Sequence, residues 1–171
     1  VMGDNFIHVS KLEAIVECDD PIHGIPRPNI GEVEEKIGEY IASMVNDGDC
    51  LQLGIGAIPD AVLKFLTDKK DLGIHSEMIS DGVVDLYEAG AITGKKKNID
   101  VGKMVVTFMM GTPMLYDFVN DNPAVCMKPV SYVNDPFVIS QNDNVVSINA
   151  ALQIDMMGQV CAEAIGLKQY S

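Results

Sequence analysis

Paired metal-ligand motifs are missing from this sequence. Cys18, Cys50, Cys126 and Cys161 stand far apart with no C-x-x-C pair, and His8, His23 and His75 are equally scattered. Zinc-type spacing is therefore absent, and no metal site is expected. Basic residues are scarce: 12 Lys and Arg against 25 Asp and Glu, for a net charge of −13. Nucleic-acid affinity comes largely from Lys and Arg on phosphates, so no nucleic-acid partner is expected. The one basic run, Lys95-Lys96-Lys97, reads as a solvated turn. No apolar run approaches the roughly 20 residues of a membrane span, so no membrane partner is expected either. Long charged tracts, low-complexity segments and internal repeats are absent, which argues against disorder. Isolated thiols without a signal peptide fit a reducing, cytoplasmic setting.

What is present is a core. Of 171 residues, 47% are hydrophobic, enough for one domain, or one domain plus part of a second. The chain opens on Val1-Met2-Gly3 and closes on Gln169-Tyr170-Ser171, and it reads as a piece of something longer. Residues 5 to 18 look extended, on Phe6, Ile7, Val9, Ile15 and Val16. The segment from Asp19 to Asn29 holds three prolines and a glycine, each unfavourable to continued helix or strand. A domain boundary is placed there.

A helix is expected from Gly31 to Val45, with Val33, Ile37, Tyr40, Ile41, Met44 and Val45 on one apolar face. Asn29 would cap it, with Glu32 completing a capping box, and Asn46-Asp47-Gly48 would stop it. The strand Cys50–Leu53 leads into Gly54-Ile55-Gly56-Ala57-Ile58-Pro59, and a helix follows from Pro59 to Thr67. Strand, glycine loop and helix is the layout of an anion site; a merely tight strand–helix turn gives the same pattern. The spacing G-x-G-x-x-P departs from the dinucleotide fingerprint, which wants a small residue at Pro59.

Further strands are expected at 72–75, 103–109, 125–130 and 145–149, with helices at 83–89 and 115–119. Asn134-Asp135-Pro136 begins a turn or helix, and 152–155 continues extended. This alternation argues for an α/β fold with an open, mostly parallel sheet flanked by helices. The ten methionines look like core filler and pocket lining.

Glu77 follows the strand 72–75 at its carboxyl end, where open α/β sheets bind ligands. There it can serve as base, nucleophile or helix-terminus anchor. Asp81 and Asp85 would share its face if the segment were helical, and Ser80 or Asp81 would cap the helix that begins at Gly82. His75 reads as structural. Asn134 is either a turn residue or an amide reaching an oxyanion. Gln153, Asp155, Gln159 and Glu163 line a cleft or face solvent.

Four stretches, 53–62, 73–82, 129–136 and 147–160, resemble the acetyl-CoA hydrolase/transferase family, and within it the 4-hydroxybutyrate CoA-transferases of anaerobic bacteria. The likeness runs through essentially the whole chain and keeps the order of motifs. It implies two α/β domains of similar design: residues 1–29 as the end of the N-terminal one and its linker, and 30–171 as the first part of the C-terminal one. It implies that Glu77 is the nucleophile that becomes a glutamyl-CoA thioester. It implies that Gly54, Ile55, Gly56, Ala57 and Ile58 belong to the CoA and active-site region, and that Asn134 helps form an oxyanion hole. A second glycine-rich loop would begin just after Ser171. The implied activity is ping-pong transfer of CoA between short-chain acids, with 4-hydroxybutyrate and acetate as partners. The acyl-CoA thioester is then substrate, with no permanently bound cofactor. An acyl-CoA hydrolase and an inert α/β binding or assembly module are the alternatives. Apolar surface left open on part of a domain favours association, so a homo-oligomer is expected.

Overall fold

Short apolar runs bounded by glycine, asparagine and aspartate become the strands of a single parallel sheet. The computed structural model describes residues 1–170. After α1 (Glu32–Ala42), the strands β1 (Cys50–Leu53), β2 (Gly73–Ile79), β3 (Met104–Met109), β4 (Val125–Met127) and β5 (Val145–Ile148) lie in the order β4-β3-β2-β1-β5, every pairing parallel. Parallel neighbours need crossovers. Those between β1 and β4 carry α2 (Ala57–Lys64), α3 (Asp81–Glu88) and α4 (Pro113–Val119). The chain then returns from one edge of the sheet to the other, carrying α5 (Val130–Val133) and α6 (Pro136–Ile139).

α1 packs on α2, α2 on α3 and α3 on α4, while α5 packs on β2 and β3. Leu51, Ile74, Val62, Val83, Leu86, Val106 and Leu115 join the sheet to the first row of helices in one core cluster. Each such side chain, fully buried, contributes about 1.5–3 kcal/mol. Successive strand residues face opposite sides. With Ile74 in that core, His75 and Glu77 face the other side, towards α5. The β4-to-β5 return thus builds the site, and the earlier helices build the core.

Several expectations are corrected. α1 starts after Gly31, not Asn29; the Gly31 N–H donates to the Glu34 carboxylate at 3.1 Å. Its packing face is only in part the expected apolar one: Val45 is buried and Ile37 and Ile41 are half-buried, but the rest of that face is not. Gly38 and Ala42 are buried, while Val33, Tyr40 and Met44 are 68%, 62% and 67% exposed. Two helices approach closely only where side chains are small, and a Cβ on Gly38 would stand 2.8 Å from the Ala61 backbone. Lys97 is no solvated turn residue: it is buried, and its ammonium donates to the Lys103 carbonyl at 2.9 Å. β4 ends at Met127, because Pro129 has no N–H for a ladder and turns into α5.

Residues 5 to 18 form no strand, only the short 3-10 turn Val9–Lys11, and Phe6, Ile15 and Val16 are exposed. The described bridge from this end of the chain to the sheet lies just before them, where Gly3 meets Met127 at the β4 edge. The proline segment is strapped to the sheet's helices. Ile25 N–H donates to the Gly111 carbonyl at 2.8 Å, and the Tyr116 hydroxyl to the His23 carbonyl at 3.0 Å. Arg27 forks onto Asp85 at 2.6 and 3.0 Å. Past β5 the chain makes two antiparallel hairpins, β6 (Gln153–Ile154) with β7 (Val160–Cys161) and β8 (Ala164–Ile165) with β9 (Lys168–Gln169). No described helix is long and apolar enough to cross a membrane.

Candidate active site

Glu77 sits inside β2, not after it. The strand runs on to Ile79 because its pairing with β3 continues as far as Ile79↔Met109. Its pairing with β1 stops much earlier, at Leu51↔Ile74. Beyond that point the buried Ser76 hydroxyl stands in for the ladder. It accepts from Leu53 N–H at 3.0 Å and donates to the Leu53 carbonyl at 3.1 Å. The two strands therefore spread where Glu77 emerges, and both backbone polar groups of Leu53 keep a partner.

On the outer side of the sheet a cleft of about 330 Å³ opens, lined by Gln52, His75, Glu77, Val133, Asn134, Ile139, Val145 and Ser147. Asn134, the residue just after α5, donates from Nδ2 to Glu77 Oε2 at 2.5 Å. The two candidate catalytic residues therefore meet, although 57 positions separate them. Glu77 is half-buried and Asn134 exposed, so the pair is open to a ligand entering the cleft. Chemically, this is a carboxylate with a neutral amide donor on one oxygen, flanked by Val133, Ile139 and Val145.

The glycine loop lies at the carboxyl end of β1, with Gly54 N–H donating to the Ile148 carbonyl at 2.8 Å. Gly56 takes φ +124°, a backbone that L side chains rarely adopt, and caps α2 with open space around it. α2 starts at Ala57, not Pro59, so Ala57 and Ile58 belong to its first turn. Ile55 and Gly56 line a different, smaller cavity of about 200 Å³, together with the strap residues Ile25 to Pro28. The loop and the Glu77 cleft are neighbours on adjacent strands and do not share a wall.

Asp81 and Asp85 do not join Glu77. Asp81 is buried and accepts from Thr112 N–H and the Thr112 hydroxyl, the latter at 2.7 Å. Asp85 holds Arg27. Ser80 does occupy the cap position of α3, but its hydroxyl donates to Asp60 at 2.6 Å. Gln153, Asp155, Gln159 and Glu163 are exposed on or beside the terminal hairpins, outside the cleft. No group of three or more His, Cys, Asp or Glu comes together in a metal-holding arrangement among the described residues.

Sequence reasoning passed over Gln52 and Ser147. They lie side by side on β1 and β5 and hydrogen-bond each other and Asn149; Asn149 Nδ2 reaches Gln52 Oε1 at 2.9 Å. One signal was available. Each is a polar residue between apolar neighbours in a short strand, which in a buried sheet marks a side chain aimed at a site.

Residues 111–171 match the acetyl-CoA hydrolase/transferase C-terminal domain. The chain is 61% identical over 170 residues to the 4-hydroxybutyrate coenzyme A transferase of Clostridium kluyveri, covering 99% of this chain and 40% of that protein. It is 53% identical over 169 residues to the succinyl-CoA:cyclohexane-1-carboxylate CoA transferase of Geobacter metallireducens, again 99% of this chain and 39% of the relative. The crystal structure of a 4-hydroxybutyrate CoA-transferase from Porphyromonas gingivalis superposes with a TM-score of 0.87 at 49% identity, over 93% of this chain and 41% of the other. The chain thus spans about 40% of the length of these relatives.

Proposed function

The chain belongs to the acetyl-CoA hydrolase/transferase family, and on that footing we propose that it carries the covalent centre of a CoA-transferase for short-chain acids of the 4-hydroxybutyrate and acetate type. One observation carries the reading: the Glu77 carboxylate and the Asn134 amide meet in an open cleft.

Moving CoA between two acids without losing the thioester's energy needs intermediates of comparable energy. A carboxylate nucleophile provides them, whereas a serine would give an ordinary ester, a deep trap. Glu77 attacks the acyl-CoA carbonyl and expels the CoA thiolate, leaving an acyl-glutamyl anhydride. The thiolate then attacks the glutamyl carbonyl, freeing the first acid and leaving the Glu77 thioester. The acceptor acid runs the same two steps in reverse, which gives ping-pong kinetics. Negative charge develops on the carbonyl oxygen at each attack, and in this reading the Asn134 N–H, which already reaches the Glu77 carboxylate, is the side-chain donor that meets it. Val133, Ile139 and Val145 make the cleft partly apolar, which helps keep water from the anhydride. The glycine loop, with its open backbone at Gly56, serves the CoA side.

In this reading residues 1–29 end an N-terminal domain and link it to 30–171, the first part of a C-terminal one. The working enzyme is a cytoplasmic homo-oligomer. The test is mass spectrometry of the protein at its full native length after incubation with acetyl-CoA. A CoA adduct on the peptide containing Glu77 is expected, and Glu77→Gln removes both adduct and transfer while the protein stays folded. Transfer retained by Glu77→Gln refutes the assignment. Consumption of acetyl-CoA by water alone, without an adduct, identifies a hydrolase instead.

A further inference from the structure

His75 stands two residues before Glu77 on β2 and faces the same side of the sheet. It is 2% exposed, and its Nε2 lies 2.9 Å from the Val133 carbonyl oxygen. A carbonyl only accepts, so Nε2 carries the hydrogen and Nδ1 is bare. No hydrogen-bond partner reaches Nδ1 among the described residues. Burial lowers the imidazole pKa from its ordinary 6.5, with the Val133 bond opposing. The ring is therefore neutral near pH 7.

Val133 ends α5, and Asn134 follows it. α5 has four residues, too few to hold a helix by themselves. The last carbonyls of a helix have no partner within it unless the chain beyond supplies one. Here Val130 O receives Asn134 N–H at 2.9 Å and Tyr132 O receives Asp135 N–H at 3.4 Å. Val133 O receives His75 from the sheet below. Tyr132, next to Val133, is fixed as well. The Tyr132 hydroxyl donates to Asp100 at 2.8 Å, its ring lies 6.3 Å from the imidazole, and the Lys128 ammonium sits 5.4 Å from the ring centre. The backbone that carries the Asn134 amide is thus pinned one residue away by an imidazole from the strand that carries Glu77.

We propose that His75 is a positioning residue: its Nε2–H bond to the Val133 carbonyl sets the depth of the α5 end over β2 and so holds the Asn134 amide on the Glu77 carboxylate. The proposal rests on the reading of Glu77 as nucleophile. A histidine that merely filled space would be replaced without loss by an apolar ring. A histidine that positions Asn134 would not, because displacing a catalytic group by about 1 Å costs up to roughly 100-fold in rate.

The experiment compares three forms of the full-length protein: wild type, His75→Phe, which fills the space without a donor, and His75→Gln, which keeps an N–H at about the same reach. Acetyl-CoA is the probe. Adduct formation on Glu77 is followed in single turnover, and kcat and KM are measured at steady state. His75→Phe should slow adduct formation and kcat by about tenfold or more, with KM within about threefold, and His75→Gln should restore most of the rate. Wild-type adduct formation in His75→Phe, or no recovery in a folded His75→Gln, overturns the proposal. Should His75→Phe fail to fold, nitrogen-15 histidine NMR of the wild type decides. A neutral Nε2–H ring at pH 7 sustains the proposal, and an Nδ1–H ring or an imidazolium overturns it. No adduct in the wild type defeats the Glu77 reading, and the positioning role with it. An adduct in the wild type with an unimpaired His75→Phe defeats the positioning role alone.

Discussion

Ser76→Ala is the perturbation that tests how the site is opened. Ser76 is 1% exposed, and its hydroxyl is the only link between β1 and β2 described at the level of Leu53. Removing Oγ leaves a buried N–H and a buried carbonyl, both of Leu53, without their partner. Each orphan costs about 1–3 kcal/mol, and the relief of no longer burying a hydroxyl returns part of it, so a net loss of about 2–3 kcal/mol is expected. Urea unfolding reads the global loss as a lower midpoint at unchanged slope. Amide exchange at Leu53 reads it locally, with protection there falling more than at Leu51, whose ladder to Ile74 is intact. Ser76→Cys should fall between, because a thiol donates and accepts only weakly. A loss under about 0.5 kcal/mol with unchanged exchange at Leu53 would refute the reasoning. It would mean that the strands close into an ordinary ladder once the hydroxyl is gone, and that the spread beside Glu77 does not depend on it.

The remaining predictions concern the supports. Gly38→Ala brings a Cβ to 2.8 Å from the Ala61 backbone. Overpacking of about 1–3 kcal/mol should outweigh the roughly 1 kcal/mol gained in helix propensity, so a lower Tm is expected, and a higher one would show that α1 and α2 separate freely. Asp60 is half-buried beside Ser80, and burial raises its pKa above the ordinary 3.8, with Asp81 adding to the rise and Ser80 opposing it. A raised carboxyl keeps its full contribution below pH 3.8 and loses it as pH climbs through the folded value. Asp60→Asn should therefore raise Tm at pH 7, on the order of 2 °C, with no gain near pH 3; a gain that persists at pH 3 argues against the charge as its cause.

The parallel sheet could be read from the chain because its signal is local. Apolar runs at 50–53, 104–109 and 145–148 alternate with helical patterns, and no other layer architecture fits that alternation. The Glu77–Asn134 pairing could not be read from local pattern, since it depends on which strand the β4-to-β5 return crosses. Local pattern offered Glu77 and Asn134 only as separate candidates among alternatives, and the family likeness alone gave them roles in one site. Lys97 and the outer half of the expected α1 face were misread for one reason: local hydropathy says how a residue would prefer to lie, and the nearest neighbour decides. Lys97 lies over Gly73, where there is no side chain to exclude its stem. Gly38 and Ala42 face α2 because only they let it come close, and that leaves Val33 and Tyr40 outside.

The boundary of β2 carries the most consequence. The expected strand ends at His75, and the polar residues Ser76 and Glu77 after it look like the start of a loop. The strand persists because each of the three polar side chains has a task that a strand geometry serves. His75 bonds the end of α5, Ser76 replaces the ladder to β1, and Glu77 meets Asn134. A carboxylate on a loop moves with the loop. One in the middle of a strand, hydrogen-bonded to β3 on one side and braced through Ser76 on the other, keeps its direction. Under the proposed mechanism, a carboxylate that attacks one thioester and is then itself attacked, first by the CoA thiolate and later as a thioester by the acceptor acid, gains from that constancy. Polar triplets inside otherwise apolar parallel strands are therefore worth reading as sites before they are read as strand ends.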